Sequence, residues 1–340
     1  METMDALVCA APGELVLERR PMPVRGSGEV LVRPRRIGIC GTDYHIYEGK
    51  HPFLAYPRVM GHELAVEVLE APSGLGIAAG EIMVVNPYLS CGTCIACRQG
   101  KPNCCTRIAV LGVHRDGGMA DLLSLPATNL IRAEGLSLDA CATVEFLAIG
   151  AHAVRRAQVV PNEHVLVIGA GPIGLGVAIF AQLAGATVTI LDRDAGRIDS
   201  AIALGGASAG ILANADTDAS IAAATIGDGF SLVFDATGNR QSMERGFDFV
   251  AHAGRYVLVS VVKDPIVFSD ADFHRKEMTL LGSRNALVDD FETVIAAIRA
   301  GAVPTGDLVT HRTTLRHAVR DLPQWASTKA GLIKALIEVE

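Results

Sequence analysis

One six-residue turn, Gly169-Ala170-Gly171-Pro172-Ile173-Gly174, constrains the fold of this 340-residue chain more than any other feature. It follows an apolar run, Val165–Ile168, and opens a helical pattern over Ile173–Ala184. In a strand–turn–helix unit the first glycine makes the tight turn. The second lets backbone approach a pyrophosphate, and the third lets helix pack close to strand. The helix N-terminus then offers N–H groups and partial positive charge to phosphates. Gly169, Gly171, Pro172, Ile173 and Gly174 are therefore the predicted dinucleotide-binding turn. Asp192 ends the next apolar run, close to the roughly 20-residue spacing of a ribose-binding acid. A carboxylate there accepts hydrogen bonds from ribose hydroxyls and repels a 2′-phosphate, which favours NAD. Arg193 and Arg197 keep NADP open, because either guanidinium could meet that phosphate. The alternative is a structural turn with Asp192 capping a helix.

The turn sits in a stretch where strand and helix patterns alternate. Val165–Ile168, Val188–Leu191, Leu232–Phe234, Tyr256–Val262 and Thr279–Leu281 read as strands. Ile173–Ala184, Arg197–Leu204 and Met243–Val250 read as helices between them. Such alternation predicts a doubly wound parallel sheet, an α/β fold. The first 150 residues differ: Pro and Gly turns separate short β-branched runs such as Val30–Val32, Leu64–Leu69 and Ile82–Val85, which predicts an irregular β-rich domain. The tail adds expected helices at Phe291–Ala300 and Leu315–Ala326 and a final strand at Leu332–Val339. The expected division is 150–283 for the dinucleotide-binding domain, with 1–149 and 284–340 forming the other.

Mean hydropathy of +0.33 raises the question of a membrane span. The longest weakly polar stretch, Val165–Leu191, is long enough on paper, but six helix-interrupting Gly and Pro residues and two β-rich ends make it a buried strand–helix–strand unit. A net charge of −7 argues against phosphate backbones and acidic lipid as partners. Glu2 and Asp5 stand where an export signal carries positive charge, so a reducing, cytoplasmic location is expected.

Cysteines carry the second strong signal. Five of eight fall within fifteen residues, and Cys91-x-x-Cys94-x-x-Cys97 with Cys105 supplies four thiolates, enough for a closed tetrahedral Zn²⁺ site. With every position filled by sulfur, such a metal is structural. An iron–sulfur cluster is the chemical rival. A nucleic-acid-binding zinc ribbon is another, though only Arg98, Lys101 and Arg107 are basic nearby.

A catalytic zinc needs about three protein ligands and an open position. Cys40 lies in Gly38-Ile39-Cys40-Gly41-Thr42-Asp43, and His62 in Gly61-His62-Glu63. Together with the cysteine lobe and the glycine turn, these motifs resemble the zinc-containing medium-chain alcohol dehydrogenases, in the branch with sorbitol, threonine and sugar-acid dehydrogenases. The resemblance runs the whole length, with the motifs in family order and spacing. It implies a Rossmann domain beside a GroES-like catalytic domain. It also implies two zinc ions per chain, NAD as cofactor, and a homodimer or homotetramer joined through the cofactor domain's edge strand.

The resemblance further implies roles. Cys40, His62 and Glu145 correspond to catalytic zinc ligands, with Glu145 binding directly or through water. Glu63 corresponds to a carboxylate beside the metal that can approach it, and Asp43 to a residue orienting His62. The polyol branch reads Glu-Pro where this chain has Glu145-Phe146. Family spacing selects Cys105 over Cys104 for the lobe. Thr42 and His45 correspond to a proton relay passing through the ribose hydroxyls, and the imidazole pKa suits a shuttle. Arg284 falls where polyol dehydrogenases carry a substrate-contacting arginine; a fork-shaped grip on a carboxylate and a surface salt bridge are both open. The segments 44–49, 112–118 and 282–286 look most similar to L-galactonate oxidoreductases, which points to a secondary hydroxyl on a sugar acid. A polyol, threonine-type or general alcohol dehydrogenase is the alternative, and a zinc-lobed nucleic-acid binder or a retired NAD-binding protein are the non-enzymatic ones.

Overall fold

The computed structural model describes residues 2–50, 54–328 and 331–340. The chain forms two compact units, Phe146–Ala286 in one and Met1–Glu145 with Leu287–Glu340 in the other. These bounds differ by a few residues from the expected 149/150 and 283/284. The reason is physical: the helix Leu138–Ala157 runs without a break through the first boundary, so no change of texture marks it. That helix escaped the sequence reading because it is buried on most of its surface and shows no polar face.

The unit Phe146–Ala286 is built on a six-stranded sheet. Its order is Ala209–Leu212, Thr187–Asp192, His164–Ile168, Phe230–Asp235, Val250–Leu258, Thr279–Gly282, and every pairing is parallel. This is the 3-2-1-4-5-6 order of a dinucleotide-binding sheet. Val165, Leu166 and Val167 are fully buried, as a central parallel strand covered on both faces requires.

The expected strands and helices of this unit are present with two corrections. The fifth strand spans Val250–Leu258 where Tyr256–Val262 was expected, and the helix expected over Met243–Val250 is Arg240–Arg245 followed by a 3-10 turn, Gly246–Phe249. The polar stretch His252-Ala253-Gly254-Arg255 hides the first half of that strand, and a register shift lies between Phe230 and Leu232 opposite it. Ala209–Leu212 and Thr217–Thr225 went unread because only Ile211 is buried in the first and only Ile221 and Thr225 in the second.

The other unit is β-rich. A three-stranded sheet joins Glu14–Pro21, Thr3–Ala11 and Arg58–Val59. A larger sheet runs Leu130–Arg132, Ile82–Val85, Glu63–Glu70, Glu29–Ile39, Lys334–Glu338, Val309–Thr314, with Leu123–Pro126 also on Glu29–Ile39. The eleven-residue strand Glu29–Ile39 organises it, setting Gly38 opposite Glu63 and Ile39 opposite Ala335. Its apolar side joins a core that includes Val32, Ile37, Leu64, Val66, Ala335 and Ile337, all almost without solvent contact. Among the described residues no helix is long and apolar enough to cross a membrane.

Candidate active site

The end of Glu29–Ile39 and the start of Glu63–Glu70 lie side by side, so Cys40 and His62, each one residue off its strand, are brought together. Donor atoms of Cys40, His62 and Glu63 all lie within 4.8 Å of one another. His62 and Glu63 are buried, as is Asp43. Asp43, in the helix Gly41–Tyr47, accepts the Cys40 N–H at 2.8 Å and the Gly61 N–H at 3.4 Å. It therefore fixes the backbone beside both metal-type donors. Its own carboxylate stands 3.9 Å from His62 Nδ1, beyond hydrogen-bond reach, so no direct hydrogen bond to the imidazole serves the orienting role expected of it.

Two residues that sequence reading missed complete the site. Tyr88 donates its hydroxyl to Glu145 Oε1 in the buried interior. Lys334, on the last strand, sets its ammonium 2.7 and 2.6 Å from the two oxygens of Glu63 and 3.3 Å from the Ile39 carbonyl. A lone tyrosine and a lysine opening a strand carry no motif; only the register of distant strands brings them here.

Electrostatics define what this pocket of side chains suits. Burial pushes the Glu145 carboxyl up to about 7, helped by the Glu63 charge and opposed by His62, Tyr88 and Lys334. Burial likewise raises Asp43. Burial opposes the charged form of His62, but its hydrogen bond to Cys40 and the charges of Asp43, Cys40 and Glu145 outweigh that and hold its pKa well up. Three buried carboxyl groups, Asp43, Glu63 and Glu145, with the half-buried Cys40 thiol thus crowd one imidazole and one ammonium. Thiol, imidazole and carboxylate donors in that arrangement fit a divalent cation of zinc type. Glu145 is not part of the 4.8 Å donor group, although its charge is felt by His62 and Lys334.

The cysteine lobe is a separate assembly. Sulfurs of Cys91, Cys94, Cys97 and Cys105 lie within 4.8 Å of one another, and Cys104 is exposed and outside the group. Cys94 and Cys97 sulfurs are 3.5 Å apart, too far for a disulfide and close to the roughly 3.8 Å that two ligands on one tetrahedral zinc would show. Backbone N–H groups of Thr93 and Cys94 push the Cys91 thiol down to about 5, and those of Cys97 and Thr106 push Cys94 down to about 6. Cys105 accepts N–H groups of Cys91 and Arg107 at 3.3 and 3.4 Å. Burial and the neighbouring sulfurs instead push Cys97 up to about 11. Four converging sulfurs, two of them with lowered thiols, fit a structural metal.

In the other unit, the glycine turn has the shape its sequence predicts. Gly169 takes φ +99°, and a Cβ on Gly174 would collide with the Gly169 carbonyl, so both positions exclude side chains. Pro172 opens the helix Pro172–Leu183 after Gly171. Asp192 accepts the Ala170 N–H at 2.7 Å and the Asp194 N–H at 2.9 Å. That ties it to the turn and leaves carboxylate lone pairs for other donors. The helix cap is Asp194, which accepts the Arg197 N–H. Arg197 lies 3.9 Å from Asp194, while Arg193 is exposed. Thr42 is half-buried and His45 exposed on one short helix, and Arg284 is exposed just past the strand Thr279–Gly282.

Comparison with known proteins bears on the family and the fold. The family profile "Alcohol dehydrogenase GroES-like domain" matches residues 26–135, and "Zinc-binding dehydrogenase" matches residues 172–300. L-galactonate-5-dehydrogenase of Escherichia coli (strain K12) is 41% identical over 318 residues, covering 92% of each chain. A solved alcohol dehydrogenase of Escherichia coli CFT073, complexed with NADH, superposes with a TM-score of 0.92 at 30% identity over 99% of each chain. A zinc-binding dehydrogenase of Sinorhizobium meliloti 1021, bound to NADP, gives a TM-score of 0.90 at 27% identity over the full length of both. The chain belongs to the zinc-containing medium-chain alcohol dehydrogenase family.

Proposed function

We propose that this dehydrogenase oxidises a secondary hydroxyl of a sugar acid or polyol, L-galactonate-like in character, with NAD as hydride acceptor. The observation that carries the reading is the donor group of half-buried Cys40 with buried His62 and Glu63, and Glu145 beside it. The 41% identity to a sugar-acid dehydrogenase supports the substrate class. Cys40, His62 and Glu145 would hold the catalytic zinc, and Cys91, Cys94, Cys97 and Cys105 the structural one. Bound there, zinc supplies Lewis acidity that lowers the pKa of a substrate hydroxyl.

The chain's own residues do the rest. Thr42 would take the proton of the substrate hydroxyl, and NAD, held by the glycine turn and Asp192, would supply the hydride-accepting chemistry that turns a secondary alcohol into a ketone. The proton passes by the ribose hydroxyls to His45, whose exposure lets it reach solvent. Asp192 binds the adenosine ribose, a choice supported by its place at the end of Thr187–Asp192 beside the turn. Gly169, Gly171, Pro172, Ile173 and Gly174 border the pyrophosphate. Arg284 grips a substrate carboxylate or several hydroxyls, and Arg284→Ala should raise KM for acidic substrates and spare neutral ones. The assembly is a homodimer or homotetramer, joined along the edge strand Thr279–Gly282, whose Leu280 is exposed. Reduced thiols and an acidic surface suit a cytoplasmic enzyme.

The direct test offers purified, zinc-replete protein sugar acids, polyols, threonine and simple alcohols, with NAD and NADP in parallel. The highest kcat/KM is expected for a sugar acid with NAD. Best turnover of threonine or a simple alcohol would move the substrate class, and no turnover on any of them would sink the reading.

A further inference from the structure

The strand Phe230–Asp235 ends on a carboxylate that the proposed chemistry leaves unused. Asp235 is fully buried, and among the described residues its partners are three neutral donors. Its Oδ1 accepts the Thr237 N–H at 2.9 Å and the Thr237 hydroxyl at 2.7 Å, and its Oδ2 accepts the Ser242 hydroxyl at 2.8 Å. Burying a carboxylate beside neutral donors alone is costly, so the place it ties matters. Phe230–Asp235 lies beside His164–Ile168 where the strand order reverses, and dinucleotides bind outside the carboxyl ends of strands at that point. The turn Ala236-Thr237-Gly238-Asn239 crosses those ends. Ala236 donates its N–H to the Ile168 carbonyl at 2.9 Å. A Cβ on Gly169 would stand 3.1 Å from Thr237 Cγ2 and 3.2 Å from the Ala236 carbonyl carbon, so the turn walls the glycine motif on this side. The Thr237 hydroxyl accepts the Asn239 N–H at 3.1 Å, and Asn239 caps the helix Arg240–Arg245 through the Ser242 N–H at 3.0 Å. One carboxylate thus holds the turn from both of its ends.

We infer that Asp235 is a positioning residue for the cofactor: it fixes the turn 236–239 as the wall against which the nicotinamide half of the dinucleotide lies. In a doubly wound sheet each half serves one mononucleotide. Asp192 stands in the half that begins with His164–Ile168, whereas Asp235 closes the first strand of the other. A misplaced wall is therefore felt by the whole dinucleotide and not by its adenosine half. This inference rests on the proposed dinucleotide turn.

The test titrates full-length protein with NADH and with AMP, which carries the adenosine half alone. Asp235→Ala leaves two hydroxyls and an N–H without their acceptor. Its dissociation constant for NADH should rise about tenfold or more, while that for AMP stays within about threefold of wild type. Asp235→Asn keeps an acceptor for the Thr237 N–H and a polar group for the hydroxyls, and should bind NADH within about threefold of wild type. Unchanged NADH binding in Asp235→Ala, an equal loss of NADH and AMP, or an Asp235→Asn as weak as Asp235→Ala overturns the inference. Should Asp235→Ala fail to fold, Thr237→Val decides, because it keeps the branched shape and removes only the hydroxyl. Its NADH dissociation constant should rise beyond about threefold with AMP unmoved, and wild-type NADH binding there ends the idea. Asp192→Ala separates this inference from the reading beneath it, since it should weaken both ligands. A wild type that binds neither ligand, or an Asp192→Ala that loses neither, would strike down the dinucleotide turn and the inference with it.

Discussion

The two metal-type sites in the β-rich unit are made in opposite ways. The cysteine lobe draws its four sulfurs from fifteen consecutive residues, three of them half-buried, and lowers two of its thiols, Cys91 and Cys94, with N–H groups from the same short stretch. The other site gathers residues from Cys40 to Lys334, buries nearly all of them, and balances acids against one lysine. A site built locally can be closed, since sulfur alone satisfies the metal. A site built from distant strands can leave a position free, because each group is held by a different part of the scaffold. The comparison teaches that openness is a property of the tertiary frame.

The sharpest way to break the comparison is to remove one thiol from each site. Cys40→Ala is expected to cut kcat/KM by about a thousandfold or more while metal analysis falls from two zinc per chain to one. Loss of both metals together would show that the sites are not independent. In the nucleotide-binding unit, Asp192→Ala should raise KM for NAD by about 10- to 100-fold, the value of hydrogen bonds to a charged group, and should narrow the preference against NADP. Steady-state kinetics with both cofactors checks it.

Cys94→Ser should also remove one zinc, yet leave kcat at 25 °C within about fivefold and lower Tm by about 5 °C or more, as a structural metal predicts. Thermal denaturation followed beside activity separates the two outcomes. The mildest probe is acid. Ligands must be deprotonated to hold metal. Burial pushes Glu145 up to about 7, so a falling pH protonates it early; in the lobe Cys91 at about 5 and Cys94 at about 6 resist longer, and Cys97, pushed up to about 11, is the sulfur that takes a proton most readily. Zinc counted after brief equilibration should leave the Cys40 site first and the lobe second. The reverse order would mean that burial protects the acidic site more than its raised pKa weakens it.

Much of this was legible beforehand, for reasons that differ from region to region. The turn at Gly169 was readable because close approach of backbone forbids side chains, and that leaves glycine at fixed spacing. The central strands were readable because burial on both faces demands apolar runs, as in Val165–Ile168. Exposed elements such as Ala209–Leu212 and Thr217–Thr225 escaped, since little in them is buried and periodicity has nothing to act on. The helix bearing Glu145 escaped for the opposite reason, being buried almost all round. Tyr88 and Lys334 were invisible as functional groups because their partners, Glu145 and Glu63, lie 57 and 271 residues away.

The sequence by itself determined the classes of chemistry: a dinucleotide turn, a four-thiol lobe, and a Cys–His pair in motifs of one enzyme family. Each rests on residues close in the chain, where covalent spacing alone limits geometry. Only the tertiary structure decided which partner each carboxylate takes. Asp43 is spent on the backbone of Cys40 and Gly61, Glu63 on Lys334, and Glu145 on Tyr88. Those assignments depend on strand register across the sheet and on exclusion of water, and neither is written in any local run of residues.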